Sequence, residues 1–168
     1  MDIRELFSDY INRIIELTKG CNNEDRRFRY NNWLLSNMKS IEMDKFSDLA
    51  REVPRLDSYL KHNNVCQVGK CFVNSGKLST SFPNEFIYCE GYFFVRDVPI
   101  PFEHAWIKYK DKYYDPTFST YGNDDNVTGY ILIREFDSDE LLYLMVTKRC
   151  YGPYLENIFN KMYSNGKV

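Results

Sequence analysis

The hydrophobic period of this chain changes once along its length, and that change limits the folds open to it. In the first third, apolar side chains recur at helical spacing. Ile3, Leu6, Phe7, Tyr10, Ile11, Ile14 and Ile15 fall at i, i+3, i+4 and i+7, the stripe of a one-sided amphipathic helix. Asp2 can cap its start and Gly20 can end it. A second helix is expected over residues 28–38, carrying Trp33 and Leu34. A third, over 44–51, is cut by Pro54 and followed by a short turn through Leu60. His62, Asn63 and Asn64 mark a loop, residues 71–78 suit one or two helical turns, and 79–83 read as a connection. From Phe86 the pattern turns β-rich: residues 86–89, 92–95, 104–109 and 113–115. A polar loop is expected at 122–126, a helix at 138–148 with Leu141, Leu142, Met145 and Val146 inward, and a last helix at 153–163. Helices, then sheet, then helices predict an α+β fold. The 168 residues suit one domain, residues 1–64 forming a helical N-terminal part and 65–168 the sheet-bearing core with the C-terminal helices.

Composition excludes several partners. Hydrophobic residues are 43% and charged residues 27%, ordinary for a soluble globular protein. The formal net charge of −2 points to no polyanion, and Arg26, Arg27 and Arg29 follow Glu24 and Asp25 as on a solvated helix face, so no nucleic-acid partner is expected. No apolar run approaches membrane-spanning length, so neither is a membrane. Five cysteines, Cys21, Cys66, Cys71, Cys89 and Cys150, make an odd count without a Cys-x-x-Cys pair. With only two histidines to complete a site, neither a metal nor an organic cofactor is implied. The acidic, amphipathic opening does not read as a signal peptide. Together these features predict free thiols in a reducing cytoplasm, the host's if the gene is viral.

The residues that could carry chemistry stand in built contexts: Gly69-Lys70-Cys71-Phe72, Pro101-Phe102-Glu103-His104-Ala105-Trp106 and Tyr113-Tyr114-Asp115-Pro116-Thr117. A thiol must become a thiolate to attack a carbonyl, and a helix N-terminus favours that negative charge. Cys71 opens a short helical segment beside Lys70, although a free cysteine is commonly just a small buried hydrophobe. If Lys110-Asp111 forms a two-residue turn, Trp106 faces Asp115 and His104 faces Thr117. That register puts His104, Trp106, Tyr113 and Asp115 on one face of a hairpin, with Asp115 diagonal to His104 at about 7–8 Å between backbones. The carboxylate could then orient the imidazole and stabilise its protonated form. His62, in the polar loop, has no such partner. Trp106 could roof the site or belong to the core. Glu90, in a strand interrupted by Gly91, could orient backbone or line the pocket, and Gln67 could donate to an oxyanion.

These strings resemble a known family. His104-Ala105-Trp106 and Asp115-Pro116-Thr117 are similar to the His-Ala-Trp and Asp-Pro-Thr signatures of the transglutaminase-like branch of the papain-like thiol enzymes. Cys71-Phe72-Val73-Asn74-Ser75, Glu90-Gly91-Tyr92 and Tyr151-Gly152, taken with them, resemble a small group of bacterial and phage proteins of that type, over about residues 66–154. Cys89 and Phe93 depart from that pattern, and the first third matches nothing in it. The resemblance implies a papain-like core, a short Cys-bearing helix packed on an antiparallel sheet, and a catalytic Cys71-His104-Asp115 triad. It implies an acyl-enzyme formed on a peptide or carboxamide, which protease, amidase, deamidase and transferase all share. Two other classes fit the same residues: a non-catalytic protein that binds a host or partner protein, and an acyl-CoA-dependent N-acyltransferase.

Overall fold

The computed structural model describes residues 2–118 and 126–166. All but Asn126 of the polar loop expected at 122–126 lies outside them. Helix α1 (Ile3–Leu17) starts at Asp2, whose Oδ1 accepts from Arg4 N at 2.9 Å, and closes at Thr18 rather than at Gly20. Helix α2 (Glu24–Asn37) begins a turn earlier than its apolar residues suggest, with Glu24 and Asp25 in its first turn, where the helix dipole favours negative charge. Two short strands follow, β1 (Lys39–Ile41) and β2 (Met43–Asp44), where sequence periodicity had predicted helix from residue 44. Helix α3 (Phe46–Glu52) runs into α4 (Pro54–His62). Pro54 therefore opens a helix instead of a turn, because a first-turn residue has no intrahelical use for the N–H that proline lacks. Helix α5 (Cys71–Ser81) is longer than expected and takes in Ser79 to Ser81.

The remaining elements are β3 (Phe86–Val95), β4 (Phe102–Tyr109), β5 (Lys112–Tyr114), β6 (Val127–Phe136), α6 (Ser138–Lys148) and α7 (Leu155–Ser164). The strands form one sheet in the order β1-β6-β3-β4-β5-β2, antiparallel throughout except that β2 runs parallel to β5. The fold is α+β, and its sheet is mixed rather than purely antiparallel.

Central β3 is covered on both faces, which is why its sequence is almost continuously apolar. On one face Tyr88, Tyr92 and Phe94 join Phe7 and Ile11 of α1, Trp33 and Leu34 of α2, Leu141 and Leu144 of α6, and Leu155 and Phe159 of α7. On the same side Phe86 and Ile107 pack with Phe46, Leu49, Leu56 and Leu78 from α3, α4 and α5. The opposite face is strand-built: Cys89, Phe93, Trp106, Tyr113, Tyr130, Leu132 and Ile41 cluster without a helical member. Among the described residues no helix is long and apolar enough to cross a membrane.

Helix α6 corrects one expectation. Leu141 and Leu144 point inward, whereas Leu142 and Val146 are 54% and 68% exposed. Residues 141–146 are all apolar, so their spacing cannot select a face, and contact with β3 and α7 does so instead.

Gly91 sits where the β3–β6 register shifts, and a Cβ there would lie 2.0 Å from Ile131 O and 2.9 Å from the Trp106 ring. Gly91→Ala is expected to cost about 3 kcal/mol or more, because rigid backbone would have to move. Gly20→Ala, at φ +74 but with open space around it, should cost only about 1–2 kcal/mol. Urea denaturation of the two variants beside the parent chain measures the contrast.

Candidate active site

The β4–β5 hairpin turns at Lys110-Asp111 and pairs Tyr109 with Lys112, Lys108 with Tyr113 and Ile107 with Tyr114. This is the register expected from the sequence. Lys110 takes a positive φ of 54, the left-handed conformation that a tight hairpin turn demands. Asp115 leaves the ladder just after Tyr114, and His104 lies across from Gly91 on the other side of β4.

His104 Nε2 lies 2.6 Å from Asp115 Oδ2, with the two side chains only 3% and 2% exposed. An ionised carboxylate only accepts, so Nε2 carries the proton and donates it to Asp115. The same Oδ2 accepts from Tyr130 OH at 2.9 Å, while Oδ1 accepts from the backbone N–H of Thr117 at 2.8 Å and of Phe118 at 3.1 Å. Burial alone would push the Asp115 carboxyl up. The His104 charge and hydrogen bond, with the two backbone donors, outweigh it and hold the group below its ordinary value. For His104 burial works downward, but Asp115 and then the Cys71 thiol stabilise the protonated ring and raise it to about 9. Four rings surround the imidazole: Phe93 at 4.9 Å, Phe118 at 5.0 Å, Trp106 at 6.2 Å and Tyr130 at 6.3 Å between centroids.

Cys71 is the first residue of α5, which lies against β3 and β4, and it is near enough to His104 to help raise the ring's pKa. Because Nε2 is engaged by Asp115, Nδ1 is the ring nitrogen left for a second partner. The thiol is the half-buried member of the three, so it is the one a reactant meets first. The first turn of α5 closes through Asn74 N to Lys70 O at 2.8 Å.

Asn74, one turn into the same helix, had no role assigned from the sequence, yet it joins the parts of the site. Its Nδ2 donates to Gln67 O at 2.8 Å and to Thr117 Oγ1 at 2.9 Å, and its Oδ1 accepts from Gln67 N at 3.1 Å. Thr117 in turn holds Asp115 through its N–H. One buried amide thus ties the loop before Cys71 to the loop after Asp115. Its position within the Cys71-to-Ser75 string was the available signal, as Tyr130 had none.

The other candidates fall apart from the triad. Gln67 has its backbone held by Asn74, and its side-chain amide reaches Asn64 O at 3.4 Å. Trp106 is fully buried beneath His104, packed edge-on to Tyr130, so it floors the site instead of roofing it. Its Nε1 has no hydrogen-bond partner among the described residues. Glu90 pairs with Ala105 and so points to the opposite face from His104. There it takes Tyr88 OH at 2.7 Å, Tyr154 N at 2.8 Å and Leu155 N at 3.1 Å. Burial raises its carboxyl to about 7 against the pull of those bonds. Glu90 anchors the start of α7 and the segment before it, where a Cβ on Gly152 would sit 2.6 Å from Tyr88 OH and 2.9 Å from the Phe72 ring. His62 ends α4 with Nδ1 2.7 Å from Ser58 O, away from the triad. No group of three or more His, Cys, Asp or Glu among the described residues is placed to hold a metal ion.

Hollow size does not mark this site. A hollow of about 640 Å³ lined by Phe28 and Trp33 belongs to α2, and one of about 550 Å³ reaches Asp115 and Tyr130 but not Cys71. The chain matches no protein-family model, no curated protein and no solved structure.

Two outcomes are expected. With only two histidines to assign, a proton NMR titration should find the His104 ring protonated until about pH 9. The raised value means that His104 stabilises the fold fully below about pH 6.5, its ordinary value, and that this contribution fades as pH rises through about 9. Asp115→Asn should drop the His104 titration below 6.5, because burial then prevails, and should flatten the loss of stability between those limits. Separately, Asn74→Ala should cost about 1–3 kcal/mol in denaturant unfolding, since it leaves buried Thr117 Oγ1 and the half-buried Gln67 backbone without this partner.

Proposed function

We propose that this chain is a transglutaminase-like thiol enzyme with a papain-like core, acting on a peptide or carboxamide through Cys71, His104 and Asp115. The observation that carries the reading is the meeting of a helix-terminal thiol with an imidazole already held, protonated on Nε2, by a buried carboxylate. In the reacting pair, the proton that the Cys71 thiol gives up is held on Nδ1 of His104. The sulfur attacks the carbonyl carbon and forms a C–S bond, and Nδ1–H passes its proton to the departing nitrogen as the C–N bond breaks. Neutral His104 then takes a proton from water or an amine, which attacks the thioester carbonyl and releases the acyl group and the thiol. Asp115 stays ionised throughout and compensates the positive ring each time it forms. The α5 N-terminus supplies backbone donors beside the sulfur for the oxyanion. Five free cysteines suit the reducing cytoplasm in which such a thiol persists.

Iodoacetamide labelling with peptide mapping tests the nucleophile. Cys71 should react faster than Cys21 and Cys150 although both are more exposed, and His104→Ala should remove that advantage. Equal rates at the three thiols in the parent chain would reject the assignment. On any peptide or glutamine-bearing protein that turns over, Cys71→Ala should leave no activity. Asp115→Asn should lose on the order of 10- to 1,000-fold, since asparagine still holds the ring but in a poorer tautomer.

A further inference from the structure

The outer face of α6 carries an apolar ridge that the fold leaves uncovered. Leu142, Tyr143 and Val146 are 54%, 59% and 68% exposed, three of the most exposed large apolar residues in the described chain. Beside the ridge, a hollow of about 510 Å³ between α6 and α7 is lined by Tyr143, Leu144, Ile158, Asn157, Lys148 and Lys161. The Lys161 ammonium lies 5.6 Å from the Tyr143 ring centroid and fixes that side of the hollow. Tyr143 alone belongs to both ridge and hollow, the hollow opening on the α7 side of the helix. Opposite charges bracket them, with Asp139 in the first turn of α6 and Arg149 at its C-cap, both exposed. Neither residue forms an ion pair among the described residues.

We propose that this face binds a second copy of the same chain, with the two α6 helices antiparallel across a two-fold axis near Leu144. A two-fold interface requires one patch to complement itself, so it must present an apolar surface that can pack on its own copy and both signs of charge. The α6 face meets each requirement. Centred on Leu144, the antiparallel arrangement sets Leu142 opposite Val146 of the partner subunit and Asp139 opposite Arg149 of the partner subunit. The symmetry repeats both pairs. Asp139 and Arg149 are about 15 Å apart along the helix, short enough for two helices crossing at about 20° to stay in contact throughout. The apolar ridge of each copy lies along that of the other. Any third-party ligand would have to supply both charges in the same spacing, whereas a second copy supplies them by construction. One helix face per subunit is a small contact, so the dimer belongs to the weak class, with a dissociation constant on the order of 10–100 µM.

Sedimentation equilibrium from about 1 to 500 µM tests this, a range set by that dissociation constant. The parent chain should rise from the mass of one subunit to that of two. Asp139→Arg and Arg149→Asp should each weaken association at least about tenfold, because each places like charges opposite at both ends of the contact. Mixing these two variants should restore dimer, since every cross-pair then joins opposite charges, and the double variant should dimerise with itself. Arg149 already takes a left-handed conformation, which aspartate tolerates, and far-UV circular dichroism will show that each variant is folded. A parent chain monomeric throughout the range overturns the proposal. So do single variants that lose association without recovering it on mixing.

Discussion

The site hangs on one buried carboxylate. Asp115 sits among aromatic side chains, where an unpaired negative charge would be costly, and it is tolerated only because four donors converge on its two oxygens. Those donors come from β4, from the turn after β5 and from β6. Satisfying the charge therefore fixes the relative placement of three chain segments. The imidazole is oriented as a by-product of that satisfaction, and its ring is then gripped by Phe93, Phe118, Trp106 and Tyr130. Removing one partner from such a set costs about 3–5 kcal/mol, which makes the geometry hard to relax.

Two further buried polar side chains extend the same logic to the helices. Asn74 couples α5 to the Asp115 turn, and Glu90 couples β3 to the segment that opens α7. Both restrain backbone next to Cys71. Asn74 holds the loop that precedes it, and Glu90 holds Gly152 against Phe72. In each case a side chain with two polar atoms satisfies backbone groups that a loop would otherwise leave bare, so the loops are held without a disulfide or a metal. The thiol ends up as the one partly open group in a rigid frame, a placement that favours orientation over mobility.

Opposing forces on the paired groups set the charge state of the site. Burial disfavours the ionised form of Asp115 and of His104 alike, and each is ionised because the other is. The same burial acts on Glu90, which faces no cation of comparable closeness and is pushed towards neutrality. The difference between the two carboxyl groups comes from partners, since both are equally hidden from water.

Much of this could be read from residue order. The α1 stripe, the α+β class, the hairpin register and the diagonal placement of His104 and Asp115 follow from local rules: 3.6-residue and two-residue periods, and the turn length at Lys110-Asp111. Elements that depend on distant partners were not legible. Strands β1 and β2 are too short to show a period and exist because β6 and β5 offer them edges. The inward face of α6 was undetermined because six consecutive apolar residues satisfy any phase. Asn74, Tyr130 and the identity of the distant backbone that Glu90 holds emerged only in three dimensions. Their partners lie 43, 15 and 64 residues away, and no local pattern encodes which buried polar atoms will need one another. Sequence thus determined which groups could react and on which element each sits. Tertiary packing decided which polar atoms lost water, and hence which side chains had to meet.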